Sequence, residues 1–237
     1  TWDMVLPALK QHRTVVALDL PGFGRSAPLS GEVTVATLTD ALRRFLDSEG
    51  LSDSDVVGSS MGARMVMELA RRGHAGTVVA LDPGGFWNDR QVAVFGATVK
   101  ASVALVRSIQ PALPLLTRTA AGRTALLAQF SAHPWRLSPE LVLTELKGFK
   151  ESPSIHAALS SLVHGPRQDG APAGSLNGRV VIGWGRQDRV TTPRQAARAQ
   201  ELFPDAELHW FERCGHFPHW DQPDAATQLI LASTDEP

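Results

Sequence analysis

The stretch Asp55-Val-Val-Gly-Ser-Ser-Met-Gly-Ala-Arg-Met-Val-Met-Glu-Leu-Ala-Arg-Arg-Gly73 decides how the rest of the 237 residues is read. Asp55-Val-Val-Gly-Ser59 has the brevity and β-branching of a strand. A helix over 61–72 follows at once, with Met61, Met65, Val66 and Leu69 on one face and Gly73 as its stop. At the junction lies Gly58-Ser59-Ser60-Met61-Gly62, a G-x-S-x-G frame that selects Ser60 over Ser59. So sharp a turn strains the serine backbone, and side chains two residues to either side are expected to clash, hence the paired glycines. Because the helix begins at the serine, its N-terminal dipole and the Met61 N–H favour a developing oxyanion. An ordinary tight turn with a serine N-cap explains the same residues without chemistry.

Outward from this frame, the pattern alternates. Thr14-Val-Val-Ala-Leu-Asp-Leu20 reads as a strand buried on both faces, and residues 35–47 as a helix with Val35, Leu38, Leu42, Phe45 and Leu46 inward. Thr77-Val-Val-Ala-Leu-Asp82 is another buried strand, stopped by Pro83-Gly84-Gly85. From 87 to 174 the alternation gives way to helical patterning broken by prolines, with a Gly/Pro-rich linker at 165–174. It resumes with a strand at 179–184, a helix at 194–202, a strand at 207–211 and a last helix at about 223–232. Five strands alternating with helices predict an α/β fold, a mostly parallel sheet with helices on both faces. The divisions are a core part at 1–86, an inserted helical block at 87–174 and a second core part at 175–237.

Composition bounds the function. Lys and Arg total 23 against 24 Asp and Glu, a balance without the clustered base of a nucleic-acid or anionic-membrane footprint. No apolar stretch reaches the roughly 18 residues of a membrane span. The single cysteine, Cys214, excludes an intramolecular disulfide and points to a reducing, cytoplasmic setting. The expectation is a small-molecule substrate, with no nucleic acid and no membrane span, and with homo-oligomerisation left open.

Ligands of open parallel sheets bind beyond the carboxyl ends of the strands. Besides Ser60, those ends carry Gly185-Arg-Gln-Asp-Arg-Val-Thr-Thr-Pro193 and Cys214-Gly-His-Phe-Pro218. A serine hydroxyl needs a general base oriented by a third group, and serine, acid, histidine is one chain order that supplies both. The conjunction is far stronger than any one element. It resembles the cap-bearing α/β-hydrolase superfamily. Asp19-Leu-Pro-Gly-Phe-Gly-Arg-Ser26 is similar to the loop after that family's fourth strand, Gly58–Gly62 to its nucleophile elbow, Gly183–Pro193 to its acid loop, and Gly215-His216 to its histidine loop. The resemblance implies Ser60 as nucleophile, His216 as general base and acid, Asp188 as the histidine's orienter and the Met61 N–H as an oxyanion donor. It implies cleavage of an ester-type acyl bond without cofactor or metal. Carbon–carbon hydrolases and perhydrolases share the triad, and a non-catalytic binding homologue is the reading from another class.

Several residues carry competing readings. Asp82 is the alternative acid, since some family members place theirs after that strand; otherwise it sets the turn into Pro83-Gly84-Gly85. His216, His219 and Asp221 are a candidate metal set with no further ligand at a recognisable spacing; His219 reads instead as a surface or pocket-rim residue and Asp221 as the start of the last helix. Cys214 reads as a small buried hydrophobe and Glu68 as part of a solvated helix face. Trp87, Phe95, Phe130 and Trp135 serve equally as pocket lining or core. Relatives in the family carry three earlier strands and a His-Gly loop with a second oxyanion donor, for which residues 1–237 show no counterpart. The chain is therefore expected to be a fragment of a longer protein, or to have the gap filled by another segment. Loss of one oxyanion donor costs about 10²–10³ in kcat.

Overall fold

One central strand, residues 78–81, alternates its buried side chains between two apolar layers, and that alternation joins the two halves of the core. The computed structural model describes residues 1–234; the last three residues of the predicted 175–237 core part lie outside them. Its elements in chain order are α1 (Leu6–Leu9), α2 (Val35–Ser48), β1 (Val56–Ser59), α3 (Met61–Arg71), β2 (Val78–Leu81), α4 (Asp89–Ser108), α5 (Leu113–Leu116), α6 (Ala120–Leu127), α7 (Pro139–Glu151), α8 (Ile155–His164), β3 (Val180–Gly185), α9 (Arg194–Leu202), β4 (Glu207–Phe211), α10 (Pro218–Asp221) and α11 (Pro223–Ser233). The strands form one parallel sheet in the order β1-β2-β3-β4. On one face, Val78 and Ala80 of β2 and Val180 and Ile182 of β3 pack against α2, α3 and α9. On the other, Val79 and Leu81 meet Val5 and Leu9 of the α1 region and Ala226 and Ile230 of α11. The period of two thus serves two cores at once, as a doubly covered sheet requires.

Helices α4 to α8 fill the stretch between β2 and β3, and the described residues there include no strand. Part of this block has its own apolar centre, in which Val106, Leu113, Leu127, Val142 and Leu146 gather with Trp220 of α10. Trp87 and Phe95 are buried and stack at 4.8 Å, whereas Trp135 is exposed. Among the described residues no single helix is long and apolar enough to cross a membrane.

One predicted strand does not form. Residues 14–20 join no ladder, and Val16 and Leu18 are 55% and 39% exposed. The segment instead borders a groove of about 690 Å³ lined by Val16, Leu18, Leu20, Leu42 and Phe45. An apolar run becomes a strand only where a neighbouring edge accepts its N–H and C=O groups. No described strand lies beside it: β1 has β2 as its one partner in the sheet. The following Asp19–Ser26 loop is closed by its own polar atoms, the Asp19 carboxylate accepting from Arg25 N–H at 3.0 Å and its carbonyl from the Ser26 hydroxyl at 2.8 Å.

The two glycines of the G-x-S-x-G frame also part company. A Cβ at Gly58 would lie 2.3 Å from the Gly62 carbonyl oxygen, because β1 and α3 meet there with no room between them. A Cβ at Gly62 meets nothing within 4 Å, so the clash expected on both sides exists on one. Gly58→Ala is expected to destabilise the chain by at least about 1–3 kcal/mol, and Gly62→Ala to be neutral or stabilising by about 0.5–1 kcal/mol through its helical preference. Denaturant midpoints of the two variants check this; equal losses would contradict it.

Candidate active site

The strand ends β1, β3 and β4 deliver the three residues to one place. At the end of β1, Ser60 takes φ 55° and ψ −112°, a left-handed conformation that costs a non-glycine residue on the order of 1–3 kcal/mol. The end of β2 holds it there: the Ser60 N–H donates to the Leu81 carbonyl at 2.9 Å, and the Gly84 N–H donates to the Ser60 carbonyl at 3.3 Å. The hydroxyl makes no cap bond to α3. It lies 2.8 Å from His216 Nε2, so the N-cap reading of this serine fails. The Met61 N–H begins α3 and donates to no described acceptor, as first-turn amides do when left to a ligand or solvent.

Asp188 stands on the loop after β3, buried, and is rich in donors. Its Oδ1 accepts from the Val190 and Thr191 N–H groups at 2.7 and 3.1 Å, and its Oδ2 from the Thr191 hydroxyl at 2.6 Å and from His216 Nδ1 at 2.8 Å. With the Nδ1 proton directed to Asp188, Nε2 is left to accept from the Ser60 hydroxyl. Burial keeps water from competing for these bonds: Asp188 and His216 are 3% and 1% exposed. Such a chain of hydrogen bonds can take the proton of an attacking hydroxyl and stabilise the imidazolium that results. Sequence reasoning missed Thr191; its place three residues after the aspartate, in a turn whose amides point back at the carboxylate, is the signal that was there to use.

Glycines bring the acid and histidine loops together. A Cβ at Gly185 would sit 2.0 Å from the Gly215 carbonyl oxygen, and one at Gly215 would sit 2.8 Å from the Phe130 carbonyl oxygen and the Ala132 nitrogen. The histidine loop is thereby tied to the inserted block, with the His216 N–H donating to the Phe130 carbonyl at 2.8 Å. Asp221 ends α10 rather than beginning the last helix, and it clamps the same junction. Its carboxylate accepts from the Gly215 N–H at 2.7 Å, the Ala132 N–H at 2.8 Å and the Ser131 hydroxyl. Phe130 and Phe217 flank the His216 ring at 6.5 and 4.8 Å between ring centroids, which gives this side an apolar wall.

Other expectations need correction. Asp82 does not fold back to set its own turn: it is fully buried, and its Oδ1 reaches across the sheet to accept from the Gly185 N–H at 2.9 Å. Among the described residues, the atoms that could share a cation are those of Asp82, Asp188 and His216, all within 4.8 Å of one another. His219 and Asp221 do not join them. His219 is wholly buried rather than at a rim, packed between Trp2, Phe217 and Trp220. Glu68 is not solvated; it accepts from Arg71, Arg72 and Gln168 with its side chain 13% exposed. Cys214 is buried, and burial pushes its thiol well up, so it stays protonated.

Burial, above all, pushes His219 down to about 3. An unfolded histidine takes up its proton near 6.5, so between these values the unfolded chain binds more protons and stability falls as pH falls. The His219→Phe chain is expected to lose less stability than the parent between about pH 6.5 and 5. Parallel stability curves from denaturant titrations would contradict this.

Comparison with known proteins places the chain in a family. The sequence matches the Alpha/beta hydrolase family over residues 1–228. It is 26% identical over 239 residues to the 2-hydroxy-6-oxononadienedioate/2-hydroxy-6-oxononatrienedioate hydrolase of Comamonas testosteroni, covering 95% of this chain and 78% of that protein. Among solved structures, a putative lipase from Acinetobacter baumannii superposes with TM-score 0.74 at 20% identity, over 98% of this chain and 77% of that one. A thermophilic esterase from Thermogutta terrifontis superposes with TM-score 0.72 at 18% identity, over 98% and 83%. At these identities the two structures speak for the fold alone. The family match over nearly the whole length, on a parallel sheet carrying Ser60, Asp188 and His216 at its strand ends, shows that the chain belongs to the alpha/beta hydrolase family.

Proposed function

We propose that the chain is a serine hydrolase that cleaves an ester-type acyl bond of a small, apolar substrate through an acyl-enzyme. The observation that carries this reading is the continuous hydrogen-bonded run from the Ser60 hydroxyl through His216 to Asp188, with both links at 2.8 Å. In the first step Ser60 Oγ attacks the substrate carbonyl carbon while His216 Nε2 takes the hydroxyl proton. The tetrahedral oxyanion faces the start of α3, where the Met61 N–H donates to it and the helix dipole adds to the field. His216 then returns the proton to the leaving alcohol as the carbonyl reforms. Water, deprotonated by the same Nε2, attacks the acyl-enzyme; the acyl C–Oγ bond then breaks, His216 returns the proton to Ser60 Oγ, and the acid leaves. Asp188 stays ionised throughout and holds the imidazole in the tautomer and plane the transfers need. The phenyl rings of Phe130 and Phe217 beside His216 support an apolar substrate.

A second reading is favoured by the 26% identity to the Comamonas testosteroni hydrolase: hydrolysis of a carbon–carbon bond beside a carbonyl, by the same three residues. A folded chain that binds ligand and turns nothing over is the reading outside enzymology. One assay separates the three. The chain is incubated with a panel of short-acyl aryl esters and with a 2-hydroxy-6-oxo-dienoate, and the products are identified. Ester turnover is expected. It should fall roughly 10⁶-fold in Ser60→Ala and about 10⁴-fold in Asp188→Asn, both variants keeping the parent's circular dichroism. Turnover of the dienoate alone would replace the ester reading, and substrate binding without any turnover would replace both.

A further inference from the structure

Asp82 ends β2 with features that the steps above do not use. Its backbone sits at φ 47°, a conformation a non-glycine residue keeps only where its surroundings impose it. Its carboxyl is wholly buried; Oδ1 accepts from the Gly185 N–H, while Oδ2 has no donor. The Asp188 carboxyl is its near neighbour, in the group of three side chains that, with His216, offer polar atoms within 4.8 Å of one another. Two buried carboxylates at this spacing do not both ionise. Asp188 receives two backbone N–H groups, the Thr191 hydroxyl and the His216 ring, and Asp82 receives one backbone N–H. The negative charge belongs where the donors are, on Asp188. The proton belongs on Asp82, where it turns the orphaned Oδ2 into a donor and removes the cost of a buried oxygen without a partner.

We infer that Asp82 is a positioning residue, a neutral carboxylic acid in the folded chain whose Oδ2–H donates to the Asp188 carboxylate and so fixes the group that orients His216. The inference rests on the reading of Ser60, His216 and Asp188 given above. Burial, together with the neighbouring Asp188 charge, pushes the Asp82 carboxyl well above the ordinary carboxylate range. The titratable groups that face it are Asp188 from the loop after β3, and His216, Cys214 and Asp221 from the segment after β4. Asp188 and Asp221 act to hold the Asp82 proton in place, and the protonated Cys214 thiol adds no charge. No proton of the reaction passes through Asp82. The reacting proton shuttles between Ser60, His216 and the leaving group, while Asp82 keeps its own and limits the swing of the Asp188 carboxylate beneath the imidazole.

The first test needs no substrate. In the unfolded chain Asp82 ionises near 3.8, so above that pH the folded chain holds one proton more than the unfolded one. Its stability therefore falls as pH rises, relative to Asp82→Asn, which carries no such proton. From about pH 5 up to the pH at which the folded Asp82 itself ionises, the unfolding equilibrium constant of the parent divided by that of Asp82→Asn is expected to rise about tenfold per pH unit. A ratio that stays flat across this range overturns the neutral acid. The second test reads turnover. Asp82→Ala is expected to lower kcat about tenfold with KM unchanged, the loss of one hydrogen bond to a charged group, and Asp82→Asn to recover most of it. The acid limb of kcat/KM in Asp82→Asn should stay where the parent has it. A limb displaced to lower pH by about a unit overturns the inference, because only the loss of a negative charge makes the imidazolium harder to form. A folded Asp82→Asn no more active than Asp82→Ala overturns the positioning role. If the parent itself turns over no ester, the proposed function fails, and the unfolding ratio still decides where the proton sits.

Discussion

The backbone of Ser60 is held in a conformation it would leave if it could. At φ 55° the residue stores strain on the order of 1–3 kcal/mol, and four contacts keep it there. Its N–H and C=O are pinned to the end of β2, its C=O also receives the Arg64 N–H within α3, and the Gly62 carbonyl fills the space where a side chain at Gly58 would stand. Released, the hydroxyl would turn back and cap α3, as serine does at most helix starts. Strained, it projects beyond the sheet to His216. The remaining architecture follows from the need to maintain that turn: a short strand on one side, a helix packed hard against it on the other, and a neighbouring strand end to brace both.

The four parallel strands end in a row, and each end contributes one polar group in sheet order: Ser60 from β1, Asp82 from β2, Asp188 from β3 and His216 from β4. Parallel pairing makes this arrangement possible, because it puts every carboxyl end on the same edge. Close approach at glycine then sets the finer geometry. Gly185 lets the acid loop lie against Gly215, and Gly215 lets the histidine loop lie against the inserted helical block. Asp221, with backbone amides from both loop and block on its carboxylate, locks that junction. The histidine's position thus depends on the helices above the sheet as much as on the sheet itself.

Much of this was legible in the residues. The strands β1 to β4 and the helices α2, α3, α9 and α11 follow from apolar runs and periodicity, and the serine, acid and histidine follow from their places at strand ends. What could not be read shares one cause: it depends on what each segment meets. Residues 14–20 have a strand's composition, but a strand exists only as half of a pair, and its exposed Val16 and Leu18 find no ladder. Gly62 has the same place in the motif as Gly58, yet open space lies beside one and a carbonyl beside the other. His219 follows two positions after Phe217 in a polar-looking loop, and only the packing of Trp2 and Trp220 around it makes it a core residue. Asp82 looked like a turn former because the residues after it are Pro-Gly-Gly; the Gly185 amide that claims its side chain and the Asp188 carboxyl beside it lie more than a hundred residues away in sequence.

The central claim is that the strained serine, and no other nucleophile of the chain, is activated by its histidine. The most direct measurement is the intact mass and peptide map of the folded protein after exposure to a fluorophosphonate, beside the same treatment of Ser60→Ala and His216→Ala. One adduct per chain, mapped to Ser60, abolished in the first variant and slowed by orders of magnitude in the second, is the predicted result. Labelling that survives in Ser60→Ala, or a folded parent that takes up no label, would contradict the account.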